Sequence, residues 1–306
     1  MEKLNRKDLI SISDLSIEEV QLILKETETL KKGPRNTKHL EGKTLAMIFE
    51  KSSTRTRVSF ETGIYQLGGL GMFFSPKDLQ MGRGETIHDT AKVLSRFVNG
   101  IMARTFSHQT VLDLAKYATV PVINGLTDFD HPCQALCDIF TVYEKRGTLK
   151  GLTMAYIGDG NNVLHSLIQA CVKVGMNINY ASPIGYKPLQ WVVDEAQEVA
   201  KSTGSKINAK ENAFDAIKDA DVIYTDVWVS MGQEEENEKR KKDLWAFQLN
   251  GELMKKAKKD VLVMHCLPAH RGEEITDEVI DGPNSIVFDQ AENRMHVQKA
   301  IMKLLM

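Results

Sequence analysis

The run Ser52, Ser53, Thr54, Arg55, Thr56, Arg57 concentrates four hydroxyls and two guanidiniums in six residues. It follows the apolar run Thr44 to Phe49 and precedes Phe60, Gly63, Ile64 and Leu67 at helical spacing, so it marks a strand turning into a helix. Free backbone N–H groups of a first helical turn, with the positive end of the helix dipole, attract an anion. Arginine normally favours the opposite helix end, and a phosphate or carboxylate ligand resolves that conflict. A capped helix with merely exposed arginines is the competing reading.

Other polar residues recur at equivalent places. Arg104 follows Ile101 to Ala103. Asp130, His131, Pro132, Cys133 and Gln134 open a helix whose apolar face is Leu136, Ile139, Phe140 and Tyr143, with Pro132 suited to the first helical position and His131 to the cap. The turn Gly158 to Asn162 follows Leu152 to Ile157; Asp226 to Gly232 follows Val222 to Thr225; His265, Cys266, Leu267 and Pro268 follow Val261 to Met264. Six polar clusters, at Ser53, Arg104, His131, Asn162, Asp226 and Cys266, thus all trail strand-like runs. A dinucleotide site at Gly158 is disfavoured, because Val163 replaces the third glycine and the run Ile178 to Ala181 ends in Ser182 and Pro183 without an acidic residue for a ribose. A polar turn with an Asn amide instead suits a small zwitterion.

Strands alternate with helices throughout, which implies an α/β fold of two doubly wound domains with parallel sheets. Ligands in such sheets bind beyond the carboxyl ends of the strands. Lys145 to Gly151 reads as the passage between domains, and strand ends facing a common cleft would set a basic anion pocket against one with a carboxylate, an amide and a thiol. That pairing suits an anionic donor and an amine acceptor. A capping box at Ser16 and Glu19 starts a scaffold helix. The loop Ser75 to Glu85, with Gly82 and Gly84, could move, and the charge-dense run Glu234 to Asp243 reads as a solvated excursion. Ser285 to Phe288 is the last expected strand, followed by a closing helix with Val297, Ala300, Ile301 and Leu304 on its apolar face and Arg294 near its start.

The totals exclude several classes. With 39 Lys and Arg against 41 Asp and Glu, the formal charge of −2 gives no general attraction to nucleic acid or anionic membrane. No stretch offers eighteen consecutive apolar residues, and the first residues lack a signal-peptide core, so a cytoplasmic location is expected. Cys133, Cys137, Cys171 and Cys266 form no CxxC pair and no zinc-like array, so reduced thiols are expected.

Taken together, Ser53 to Arg57, His131 to Gln134 and His265 to Pro268, three motifs in one order, resemble the aspartate and ornithine carbamoyltransferase family across nearly the whole chain. The resemblance implies a carbamoyl phosphate-binding domain at 1–147, an ornithine-binding domain at 148–290, and a C-terminal helix at 291–306 packing back on the first domain, with the active site in the interdomain cleft. It further implies a homotrimer, or a multiple of trimers, with shared active sites. Ser53, Thr54, Arg55 and Thr56 would hold phosphate oxygens, while Arg104, His131 and Gln134 polarise the carbonyl oxygen. Gln80 matches a position that reaches a neighbouring subunit's donor; Cys266 and Leu267 line the junction, with Arg294 beside the donor. Asn162, Asp226, Ser230 and Met231 would hold ornithine's α-amino and carboxylate groups, and Asp226 and Cys266 are candidates to help the amine lose its proton. The implied reaction joins the carbamoyl group to ornithine, giving citrulline and phosphate in arginine biosynthesis or a urea-cycle-type step, without metal or cofactor. Another amine such as putrescine, a nucleotide-binding oxidoreductase and a non-catalytic regulatory subunit are the alternatives.

Overall fold

The computed structural model describes residues 2–81, 84–229 and 234–306. Two compact units divide the chain, one spanning Met1–Phe140 with Glu292–Met306 and the other Thr141–Ala291.

The first unit contains α1 (Ile17–Lys32), β1 (Thr44–Phe49), α2 (Thr54–Gln66), β2 (Leu70–Phe74), α3 (Ile87–Phe97), β3 (Gly100–Arg104), α4 (His108–Tyr117), β4 (Val122–Leu126) and the start of α5 (Pro132–Arg146). Its four strands are all parallel in the order β2-β1-β3-β4. Leu45 to Phe49 are all buried, as expected for a strand covered on both faces, which is why this run is apolar without alternation. Phe49 lies opposite Arg104, so Ser53 and Arg104 leave the sheet at neighbouring strand ends. Ala46, Ile48, Ile101 and Ala103 pack with Val111 and Leu114 of α4 beneath that edge.

The second unit carries β5 (Thr153–Ile157), α6 (Asn162–Lys173), β6 (Asn177–Ala181), α7 (Gln190–Thr203), β7 (Ile207–Ala209), α8 (Ala213–Ile217), β8 (Val222–Thr225), α9 (Asn237–Leu244), α10 (Gly251–Met254), β9 (Leu262–His265) and α11 (Asp277–Ile280), and α12 (Val287–Leu305) closes the chain. The strand order is β7-β6-β5-β8-β9, again parallel. Ile157 is opposite Thr225, and Thr225 opposite His265, so Asn161, Asp226 and Cys266 emerge along one edge.

The part of α12 that belongs to the first unit packs on α1 and α2. Gly63 leaves room there: a Cβ would sit 3.1 Å from the Met302 methyl and 3.3 Å from Lys299 Cγ. The fully buried Lys299 donates to Gln66 Oε1 at 2.9 Å and to the Arg35 carbonyl, and Lys303 reaches Glu26. No helix among the described residues is long and apolar enough to cross a membrane.

Two expected elements differ. Ser285 to Phe288 is not a strand: Ser285 makes a single bridge to Val263, and α12 begins at Val287. The short apolar run has a helical pattern, with Ile286 and Val287 buried and Phe288 69% exposed, and such runs look alike in sequence. Glu234 to Asp243 is solvated over most of its length, with Glu235, Glu236, Glu238, Lys239, Lys242 and Asp243 exposed, but it is helical and not an irregular excursion. A 3-10 turn leads into α9, whose Arg240 is buried and tied to Asp159. The three-residue β7 was too short to show a pattern.

Candidate active site

In the first unit, Ser53 caps α2 from an extended backbone (φ −163°, ψ 113°), its Oγ accepting the Thr56 N–H. The same hydroxyl donates to Thr56 Oγ1 at 3.0 Å. Thr56 is buried and serves as a hub, accepting from Arg294 Nη2 at 3.2 Å and from Arg104 Nη1 at 3.5 Å. Arg294 Nη1 donates to Gln134 Oε1 at 2.6 Å, and Gln134 Nε2 donates to Asp138 Oδ1 at 2.7 Å. Arg104, His131, Gln134 and Arg294 are all buried. Burial, reinforced by the charges of Arg294 and Arg104, holds the His131 imidazole well below its usual pKa, so the ring is neutral near pH 7. This half-site therefore offers two buried guanidiniums, hydroxyls and a neutral imidazole at a helix start, a set matched to an anion bearing a polarisable carbonyl.

The structure thus brings Ser53, Thr56, Arg104, His131, Gln134 and Arg294 together. Thr54 opens α2, exposed, and Arg55 is half-buried in the same first turn. Arg57 is engaged elsewhere, over the Phe73 ring at 3.8 Å and paired with Glu61. Gln80 stands exposed on the loop after β2, where its carbonyl accepts the Glu85 N–H. Gln134 presents its oxygen to Arg294, so it offers an acceptor, whereas the sequence reading gave it a share in polarising a carbonyl oxygen.

In the second unit, Asp226 is 5% exposed and accepts three hydrogen bonds: from the Cys266 thiol at 2.9 Å, Asn161 Nδ2 at 2.7 Å and the Val227 N–H at 2.8 Å. Helix α6 opens at Asn162, so Asn161 is the cap, and its Oδ1 accepts from Val163 and Leu164. Sequence reasoning named Asn162, the first residue of α6; Asn161 beside it, which it did not single out, is the cap and the residue that touches Asp226. A buried carboxylate flanked by a thiol and an amide suits an ammonium group.

The turn carrying Cys266 is held by His265 together with Glu274, a partner that sequence reasoning did not name. His265 Nδ1 accepts the Leu267 N–H at 2.9 Å, which leaves Nε2–H to donate to Glu274 Oε1 at 3.0 Å. Glu274 also accepts the His270 N–H, and Leu267 takes a left-handed φ of 57°. Arg240 joins Asp159 at 2.6 Å and donates to the Trp228 carbonyl, stacking on Tyr186. Burial pushes the Asp159 carboxyl up to about 6, against the pull of that guanidinium. Ligand-type atoms of Asp226, His265 and Cys266 lie within 4.8 Å of one another, a spacing a divalent ion could use, but both ring nitrogens of His265 are already hydrogen-bonded within the chain. Ser230 and Met231, like Gly82 and Gly232, lie outside the described residues.

The family model for the carbamoyl-P binding domain of aspartate/ornithine carbamoyltransferase matches residues 7–144, and that for the Asp/Orn binding domain matches residues 150–305. The ornithine carbamoyltransferase of Thermococcus kodakarensis is 58% identical over 303 residues, covering 98% of this chain and 96% of that protein. The protein named anabolic ornithine carbamoyltransferase of Pyrococcus furiosus is 55% identical over 303 residues with the same coverage. A solved ornithine carbamoyltransferase from Pyrococcus furiosus superposes with a TM-score of 0.96 at 54% identity, covering 100% of this chain and 99% of that one, and one from Thermus thermophilus with 0.90 at 42%, covering 98% and 99%. The chain belongs to the aspartate/ornithine carbamoyltransferase family.

Proposed function

We propose that this chain transfers the carbamoyl group of carbamoyl phosphate to the δ-amine of L-ornithine, giving L-citrulline and phosphate, as an anabolic step toward arginine. The observation that carries the reading is a division of labour: a buried guanidinium and hydroxyl cluster at the strand ends of the first unit, and a buried carboxylate held by a thiol and an amide at those of the second. The first unit is the carbamoyl phosphate domain and the second the ornithine domain, in line with the domain descriptions they match.

In the reaction a C–N bond forms from the δ-nitrogen to the carbonyl carbon, the bond from that carbon to the phosphate oxygen breaks, and one ammonium proton and one further N–H proton are released. Ser53, Thr54, Arg55 and Thr56 take the phosphate oxygens. Arg104 and the neutral His131 donate to the carbonyl oxygen as charge builds on it, a role in which each donor is commonly worth about 10²–10³ in rate. Arg294 sits beside the donor, Gln134 accepts from its N–H₂, and Cys266 and Leu267 line the donor's far side. Asp226 and Asn162, with Ser230 and Met231, receive the amino acid head group, and Asp226 or Cys266 takes the amine's proton or passes it to departing phosphate. The enzyme works in the cytoplasm as a trimer, or a multiple of trimers, in which Gln80 reaches a neighbouring subunit's donor. The exposed apolar residues Val58, Tyr65, Leu70 and Phe97 on α2, β2 and α3 are the kind of surface such an assembly covers.

A colorimetric assay for the ureido product tests this. With carbamoyl phosphate present, ornithine gives product and aspartate and putrescine give none above background; product from putrescine instead would reassign the acceptor.

A further inference from the structure

The amide of Gln134 lies between two groups that each demand the same orientation. On one side, Asp138, one turn along α5 and fully buried, accepts from Nε2 at 2.7 Å. A carboxylate only accepts, so the N–H₂ end must face it. On the other side, Arg294 Nη1 donates to Oε1 at 2.6 Å, and a guanidinium only donates. A flipped amide would set oxygen against carboxylate and N–H₂ against guanidinium, both buried. Gln134 therefore presents a carbonyl oxygen with a second lone pair beyond the one Arg294 uses, in the cluster that holds Ser53, Thr56, Arg104 and Arg294, which supply donors.

We propose that Asp138 is a positioning residue that locks the Gln134 amide oxygen-outward and thereby makes the site select a carbamoyl donor over its acetyl isostere. The inference rests on the carbamoyl phosphate reading given above. Carbamoyl and acetyl phosphates share the phosphate and the carbonyl and differ in an N–H₂ against a methyl. The N–H₂ donates to the fixed oxygen; the methyl leaves that oxygen's second lone pair unfilled. Sites built to hydrogen-bond a ligand N–H discriminate strongly against analogues that lack it.

The test compares dissociation constants for carbamoyl phosphate, acetyl phosphate and inorganic phosphate, by isothermal titration, on the full chain. The wild type binds carbamoyl phosphate at least tenfold more tightly than acetyl phosphate. Asp138→Leu has the same branched heavy-atom skeleton and no acceptor, so the buried Nε2 is left unsatisfied and the amide leaves the rotamer that meets Arg294: the ratio falls to within about threefold of unity, with inorganic phosphate affinity changed less than about threefold. Asp138→Asn keeps an acceptor oxygen toward Nε2, so the amide stays in place and its ratio stays within about threefold of the wild type. A role in packing alone would weaken all three ligands together and leave the ratio unmoved. The proposal is overturned if Asp138→Leu keeps the wild-type ratio, if Asp138→Asn loses it as fully as leucine, or if the wild type binds the two acyl phosphates equally. Should Asp138→Leu not fold, the wild-type and asparagine ratios still decide. A wild type that binds inorganic phosphate and neither acyl phosphate removes the carbamoyl phosphate reading itself, a result distinct from equal binding of both.

Discussion

Thr56 is where the anion half-site can be taken apart one atom at a time. Its hydroxyl oxygen accepts from Ser53 at 3.0 Å, Arg294 at 3.2 Å and Arg104 at 3.5 Å, and the residue is 1% exposed. Thr56→Val keeps the shape and helix propensity and deletes the acceptor. The Arg104 contact lies at the limit of hydrogen bonding and is discounted. One charge-assisted bond at about 1.5–3 kcal/mol and one neutral bond near 1 kcal/mol remain, less what relaxation recovers, so a loss of about 2–3 kcal/mol is expected. Thr56→Ser keeps the oxygen and deletes a buried methyl, worth about 1 kcal/mol. Urea unfolding of both variants, compared at a common slope, separates the two contributions. The valine variant also binds inorganic phosphate less tightly, because Arg294 loses its anchor, while the serine variant does not. A serine variant as destabilised as the valine one, or a valine loss under about 1 kcal/mol, would refute the assignment of Thr56 as a polar hub.

His131, held neutral by burial and by Arg294 and Arg104, binds fewer protons folded than unfolded once pH drops below its ordinary value of 6.5. Its contribution is therefore complete above pH 6.5 and lost as pH falls, with a ceiling of about 1.4 kcal/mol per pH unit. Urea midpoints from pH 8 to 5 should fall more steeply for the wild type than for His131→Gln, and parallel curves would contradict the buried neutral ring; comparing the two cancels the other depressed histidines, His39, His108 and His296. Arg240→Leu strands the Asp159 carboxylate and is expected to cost about 3 kcal/mol at pH 8. Because burial already raises Asp159 to about 6, loss of its guanidinium lets it take up a proton, so the deficit shrinks at pH 5.5; a deficit independent of pH would show that the pair is not ionised at pH 8.

What could be read from the chain follows from how far each interaction reaches along it. Ser53, Arg104, Asp226 and Cys266 were legible because a buried parallel strand is a short unbroken apolar run and whatever polar residue follows it must leave at the sheet edge. The partners that tune these residues obey no such local rule. Arg294 meets Thr56 across 238 positions, and only docking of α12 on the first unit makes that contact. Arg240 hides in a charge run because one inward arginine among outward lysines and glutamates leaves no period, and only the distant Asp159 draws it in. Glu274 sits in a turn with no pattern of its own, and its meaning depends on which His265 nitrogen the Leu267 N–H has already taken. Asp138 is the intermediate case: its i, i+4 spacing from Gln134 stood in plain view, yet a polar pair on a helix is ordinarily solvated. Full burial of both residues turns that pair into an orientation device, and burial is decided by what packs above the helix rather than by the helix itself.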